Sequence, residues 1–144
     1  MSQHLSIVVG SVLGASEYVA EALEQVAKKA GFTTTLQFEP DLSALKCEGK
    51  WLICTSTHGA GELPENIQPF AKSLEDADLS GVQAYIVGLG DSSYDTYCFG
   101  AIEMEKRLKT AGAQIIAEPL HIDVLNHPIP EDVAIEWFEQ QLNS

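Results

Sequence analysis

Trp51-Leu52-Ile53-Cys54-Thr55-Ser56-Thr57-His58-Gly59-Ala60-Gly61 joins an almost unbroken apolar run directly to a glycine-rich turn. A strand apolar at nearly every position, instead of every second one, is what the centre of a parallel sheet requires, because helices cover both of its faces. Two other stretches have the same form. Leu5 to Val9 runs into Gly10-Ser11-Val12-Leu13-Gly14-Ala15-Ser16, and Val82 to Leu89 runs into Gly90-Asp91-Ser92-Ser93-Tyr94-Asp95-Thr96-Tyr97. Three strands that each end in a loop of small and hydroxyl-bearing residues suggest a ligand held beyond the strand ends.

The segments between them read as helices. From Gly14 the spacing of Tyr18, Val19, Ala22, Leu23 and Val26 predicts one helical face, closed at Ala30-Gly31. Phe32 to Phe38, with alternating apolar positions and threonines, predicts a second, half-exposed strand. Pro64 stands where a helix can begin, and Ile67, Phe70, Ala71 and Leu74 supply its apolar face. Phe99 to Ala111 predicts a further helix, Gln114 to Ile122 a fifth strand, and Glu131 to Leu142 a last helix. Five strands alternating with helices require right-handed crossovers, which gives an α/β three-layer sandwich around a five-stranded parallel sheet. The order 2-1-3-4-5 sets strands one, three and four side by side. Ligands on such sheets sit outside the carboxyl ends of the strands where the order reverses, and all three loops lie there.

Composition narrows the function. With 144 residues, 45% of them hydrophobic, the chain suffices for one domain with a real core over residues 1–144 and is too short for two ordinary ones. No apolar run approaches bilayer length, and no basic region precedes the first apolar residues, so neither membrane insertion nor export is expected. Cys47, Cys54 and Cys98 are odd in number and lack Cys-x-x-Cys spacing, which argues against a disulfide framework and for a reducing, cytoplasmic setting. The net charge of −13 argues against nucleic acid and favours basic protein partners. His121, Asp123 and His127 match no strong metal motif, and no metal is expected. A receiver domain shares the sheet order but needs clustered aspartates at the ends of strands one and three; here those ends read Gly10-Ser11 and Thr55-Ser56.

Each loop has its own chemistry. The helix start after Gly14 offers backbone donors to an anion, and Ser11 and Ser16 offer hydroxyls. The first lysine in the chain is Lys28, so a phosphate here is bound by neutral groups; the lysine of a nucleoside-triphosphate loop and the Gly-x-Gly-x-x-Gly of a dinucleotide fold are both missing. Tyr94, flanked by Asp91, Asp95 and Tyr97, suits a flat ligand, with a surface Tyr94 and a core Tyr97 as the alternative. Gly59 and Gly61 let backbone approach a ring edge, while His58 either packs on a ring or caps the turn. Cys54 reads as strand core, and neither it nor Cys98 has an activating base.

Four motifs carry a resemblance across almost the whole length: GSVLGASEYVAE (Gly10 to Glu21), TSTHGAGELPEN (Thr55 to Asn66), GLGDSSYDTYC (Gly88 to Cys98) and IPEDVAIEW (Ile129 to Trp137). The chain resembles the flavodoxins, most closely the short MioC-type members that bind FMN. The resemblance implies a low-potential carrier that moves one electron at a time on noncovalent FMN and has no substrate site of its own. It implies Ser11, Val12, Leu13, Gly14, Ala15 and Ser16 at the phosphate, and Ser56, Thr57, His58, Gly59, Ala60 and Gly61 along the ring edge. Gly90, Asp91, Tyr94, Tyr97 and Cys98 complete the site, with Tyr94 stacked on the isoalloxazine. Leu13 stands where flavodoxins commonly carry threonine or serine, which implies either weaker affinity or more reliance on backbone amides at the phosphate. The implied donor is an NADPH-dependent reductase of the flavodoxin/ferredoxin-NADP type, and the implied acceptors are basic proteins, iron–sulfur enzymes such as biotin synthase among them. A flavin-dependent NAD(P)H or quinone reductase would share the cofactor site and is the alternative reading.

Overall fold

Alternate residues of three adjacent strands feed two separate cores. In the computed structural model, which describes residues 3–12, 14–58 and 60–143, these strands are β1 (His4–Gly10), β3 (Glu48–Ser56) and β4 (Gly81–Gly90). Leu5, Ile7 and Val9 of β1, Leu52 and Cys54 of β3, and Tyr85, Val87 and Leu89 of β4 face one way. Val8, Trp51, Ile53, Val82, Ala84 and Ile86 face the other. The near-continuous apolar runs are therefore two period-two patterns interleaved on strands buried on both sides.

Helices close both faces. α1 (Ala15–Lys29) and α4 (Pro130–Leu142) cover the first with Val19, Ala20, Leu23, Ala27, Ala134 and Phe138. α2 (Gln68–Ser73) and α3 (Phe99–Thr110) cover the second with Phe70, Ala71, Ala101, Met104 and Leu108. Aromatic anchors lie at the centre of each layer: Trp51 tilts against Phe70 at 6.0 Å between ring centroids, and Tyr85 meets Phe138 edge-on at 5.3 Å. Full burial of one such side chain contributes about 1.5–3 kcal/mol.

β2 (Thr33–Gln37) pairs in parallel with β1, and its half-exposed threonines suit an edge strand. The order is β2-β1-β3-β4-β5, all parallel, which is the expected α/β flavodoxin-like sandwich. The expected fifth strand is in fact two. β5 (Gln114–Ile115) and β6 (Leu120–Asp123) both pair with β4, at Gln83–Ala84 and at Val87–Gly90 respectively. Pro119 lies in the gap and has no N–H to give to a ladder.

Two other expectations are corrected. Pro64 opens only a turn, in which Ile67 N–H donates to the Pro64 carbonyl at 3.1 Å. The helix begins at Gln68, and the proline in its first turn is Pro69. Tyr18 is 66% exposed and lies outside the core; the buried face of α1 is Ser16, Val19, Ala20, Leu23 and Ala27.

Candidate functional site

The carboxyl ends of β1, β3 and β4 open into one cavity of about 380 Å³, within the size range of small-molecule sites. Ser56, Leu89 and Gly90 at the strand ends line it, with Val12 and Ala15 from the first loop and Thr57 and His58 from the second. Asp91, Tyr94, Thr96, Tyr97 and Cys98 line it from the third loop, and Val124 does so from the turn after β6.

The first loop is held from outside. Asn66 accepts the Ser11 N–H through its side-chain carbonyl at 2.9 Å and donates its amide to the Val9 carbonyl at 2.7 Å and the Phe38 carbonyl at 2.9 Å. The Ser11 hydroxyl oxygen accepts the Gly14 N–H at 2.9 Å, which leaves the hydroxyl proton for a ligand. Gly14 turns the chain into α1 with φ +91°, a left-handed conformation that suits glycine. The Ser16 hydroxyl, expected as a second donor, is fully buried and donates to the Gly10 carbonyl at 2.6 Å. It fastens α1 to the end of β1 instead of facing a ligand. Leu13 lies outside the described residues.

In the second loop the His58 N–H donates to the Glu62 carbonyl and the Glu62 N–H to the His58 carbonyl, both at 2.8 Å. His58 therefore pins a tight turn with its backbone and also lines the cavity. Gly61 completes the turn at φ +104°, with Phe99 Cδ2 only 2.8 Å from where a Cβ would stand. Gly59 lies outside the described residues. Below the turn, Gly100 N–H donates to the Thr57 hydroxyl at 2.9 Å, and a Cβ on Gly100 would come within 2.5 Å of the Ser56 carbonyl oxygen. Ser56 itself has a buried hydroxyl with no hydrogen-bond partner among the described residues. A buried hydroxyl in that state costs free energy unless a ligand answers it.

The third loop folds around Asp91, whose carboxylate accepts the Ser93 N–H at 2.8 Å and the Ser93 hydroxyl at 2.6 Å, while the Asp91 carbonyl accepts the Tyr94 N–H. Tyr94 is 64% exposed. Tyr97 stands edge-on to His121 at 6.2 Å between centroids, and burial pushes its hydroxyl up to about 12, with Cys98 and Asp123 nearby adding to the shift. Cys98 adopts a left-handed φ of 54° directly before α3. Its thiol is pushed up to about 11 by burial, and that of Cys54 to about 12 for the same reason. Both are protonated at neutral pH, so neither supplies a thiolate nucleophile. Among the described residues no lysine or arginine lines the cavity.

Of the residues expected at a ligand, the structure brings Val12, Ala15, Ser56, Thr57, His58, Gly90, Asp91, Tyr94, Tyr97 and Cys98 to the cavity wall. Ser11, Gly14 and Gly61 shape the loops, and neither they nor Ala60 line this cavity. Sequence reasoning misses Leu89, Thr96, Val124 and the two bracing side chains Asn66 and Asp123. Asp123 ends β6 and Val124 follows it, after a strand break that is not legible, and nothing in the sequence pairs Asn66 with Ser11, 55 positions earlier. Of the His121, Asp123, His127 set, Asp123 accepts hydrogen bonds from Ser92, Leu125 and Asn126. Among the described residues no three potential ligands converge.

These residues fit FMN: the cleft lined by Tyr94, Tyr97, Leu89 and Val124 suits a flat ring, and the adjoining first loop, where the Ser11 hydroxyl proton is left over, carries no basic side chain. Comparisons with known proteins point the same way. The model of the family described as Flavodoxin matches residues 7–137. Protein MioC of Escherichia coli O157:H7 is 43% identical over 141 residues, 96% of each chain, and the Protein MioC homolog of Haemophilus influenzae is 47% identical over 136 residues, 93% of each. A solved structure of a mutant flavodoxin from Pseudomonas aeruginosa superposes with a TM-score of 0.90 at 29% identity, covering 97% of both chains. By the family match, the MioC relatives and the sheet order together, the chain belongs to the flavodoxin family and is of the MioC type.

Proposed function

We propose that this chain is an electron carrier that holds FMN noncovalently in the cavity at the ends of β1, β3 and β4, and that it has no substrate chemistry of its own. The observation that carries this reading is a single cleft lined by the exposed Tyr94 ring, Tyr97 and Leu89 and bordered by the first loop, where the Ser11 hydroxyl keeps a proton. FMN, when bound, supplies a ring that takes up and releases one electron at a time.

The protein's own residues do the rest. Tyr94 offers a stacking face worth about 0.5–1.5 kcal/mol beyond its buried area. Leu89 and Val124 give the cleft an apolar wall, and the Ser56 hydroxyl, which has no hydrogen-bond partner among the described residues, is assigned to turn toward the ligand. Ser11 keeps a hydroxyl proton for the phosphate. Asp91 lines the cleft and, among the described residues, no lysine or arginine does, so charge added by reduction is left uncompensated. A carboxylate about 10 Å from such a charge, at an effective dielectric near 20, opposes it by roughly 1.7 kcal/mol before screening. This supports a low potential. The net charge of −13 supports basic partners. We assign the donor role to an NADPH-dependent reductase of the flavodoxin/ferredoxin-NADP type, the acceptor role to iron–sulfur enzymes such as biotin synthase, and the setting to the cytoplasm.

The test is anaerobic mixing of the FMN-loaded protein with NADPH, with and without such a reductase. The carrier reading expects reduction only when the reductase is present. Rapid NADPH oxidation by the protein alone would establish the rival reading of a flavin-dependent reductase.

A further inference from the structure

We propose that Asp123 is a positioning residue for the ring cleft: its carboxylate ties the loop bearing Tyr94 to the turn bearing Val124 and so sets the width between them. Strand register brings the two together, because β6 pairs Asp123 with Gly90, the last residue of β4. One carboxylate oxygen, Oδ1, accepts the Ser92 N–H at 3.2 Å and the Leu125 N–H at 3.0 Å. The other, Oδ2, accepts the Ser92 hydroxyl and the Asn126 side-chain amide, the latter at 2.8 Å. The Val124 N–H meanwhile donates to the Gly90 carbonyl at 2.8 Å.

Ser92 precedes Tyr94 by two residues, and Leu125 and Asn126 directly follow Val124. Tyr94 and Val124 both line the cavity. The Asp91 turn shapes the third loop, but its partners Ser93 and Tyr94 lie within that loop and cannot say where it stands. Asp123 supplies the external reference. A carboxylate suits the task because both oxygens accept and neither must donate. Asparagine keeps one accepting oxygen and turns an amide toward the Asn126 amide.

This inference rests on reading the cleft as the FMN site, and it assigns Asp123 a geometric role in preference to a role through its charge. The neutral substitution Ser92→Ala separates the two, since it removes one tie and leaves the carboxylate in place. Four proteins are compared: wild type, Ser92→Ala, Asp123→Asn and the double variant that closes the cycle. Each is followed without ligand by amide hydrogen exchange at residues 91–97, and with FMN by its dissociation constant and the visible circular dichroism of the bound ring. Both single variants are expected to speed exchange in that segment, to weaken FMN binding by about tenfold and to alter the dichroism. The double variant is expected to lose little more than Asp123→Asn alone. Wild-type exchange and affinity in Ser92→Ala, with a change only in Asp123→Asn, would overturn the geometric role in favour of charge; unchanged exchange in both variants would also overturn it. Failure of the wild-type protein to take up FMN would instead defeat the cofactor reading, and the exchange measurement would still decide whether Asp123 holds the loop.

Discussion

The side-chain carbonyl of Asn66 accepts the backbone N–H of Ser11 at 2.9 Å. That bond joins the end of the second loop to the start of the first, and the Asn66 amide extends the tie to Val9 and Phe38. Asn66→Ala removes all three bonds and leaves two carbonyls and an N–H in search of partners. We expect a loss of about 2–3 kcal/mol in urea unfolding, together with weaker FMN binding. Asn66→Asp keeps the acceptor for Ser11 but sets a carboxylate against two carbonyls, and it should destabilise at least as much. Wild-type stability in both variants would show that the tie contributes nothing.

Close backbone approach gives a second pair of expectations. Gly61→Ala places a Cβ at φ +104° and 2.8 Å from Phe99 Cδ2, at a cost of about 1–2 kcal/mol from handedness alone. Because this turn borders the cleft, redox titration should show displaced midpoint potentials. Gly100→Ala meets the Ser56 carbonyl at 2.5 Å, a backbone atom that cannot swing aside. It should force α3 off the end of β3, break the bond from Gly100 N–H to Thr57, and cost about 1–3 kcal/mol. Thermal melts of both variants measure this, and melting temperatures equal to wild type would refute it.

Sequence reading succeeds where one strand's own residues decide the outcome. Trp51 to Thr55 and Val82 to Leu89 are apolar on both faces, and only a strand covered on both sides uses such a pattern, so the sheet, its layers and the three loops follow. It fails where the decision lies with distant residues. Tyr18 has helical spacing with Val19 and Ala22 but lies one step round the helix from the buried stripe, and which stripe turns inward depends on the sheet and α4. Ser16 reads as a ligand donor because it is a hydroxyl at a helix start, yet the Gly10 carbonyl claims its proton. Asn66 and Asp123 work through hydrogen bonds to residues 55 and 31 positions away, and no local pattern announces such partners.

The thiols give a pH-dependent test. Burial raises Cys98 from 9.0 to about 11 and Cys54 from 9.0 to about 12. A raised folded value means that the associated stability is fully present below 9.0 and is lost as pH rises through the folded value. Iodoacetamide at about pH 8, below the ordinary thiol value, should therefore modify the exposed Cys47 first and leave Cys54 and Cys98 largely unmodified, as read by peptide mass mapping. Labelling of Cys98 as fast as that of Cys47 would contradict the burial. Asp123 has the opposite sign. The Ser92 hydroxyl holds its carboxyl below 3.8, so its contribution is present above 3.8 and is lost as pH falls through the folded value.

Charge should govern encounter with partners. Under the proposed pairing with basic partners, a chain of net charge −13 gains from steering that salt screens within about 10 Å at roughly 0.1 M. Second-order electron-transfer rates should fall as ionic strength rises. Rates that stay flat from low to high salt would remove steering from the account.

The most direct measurement is a calorimetric titration of the ligand-free protein with riboflavin 5′-phosphate. Saturable binding of one molecule per chain and a yellow product are expected, weakened when Ser56→Ala removes the hydroxyl that has no partner among the described residues. Absence of binding with FMN in excess would contradict the cofactor reading at its centre.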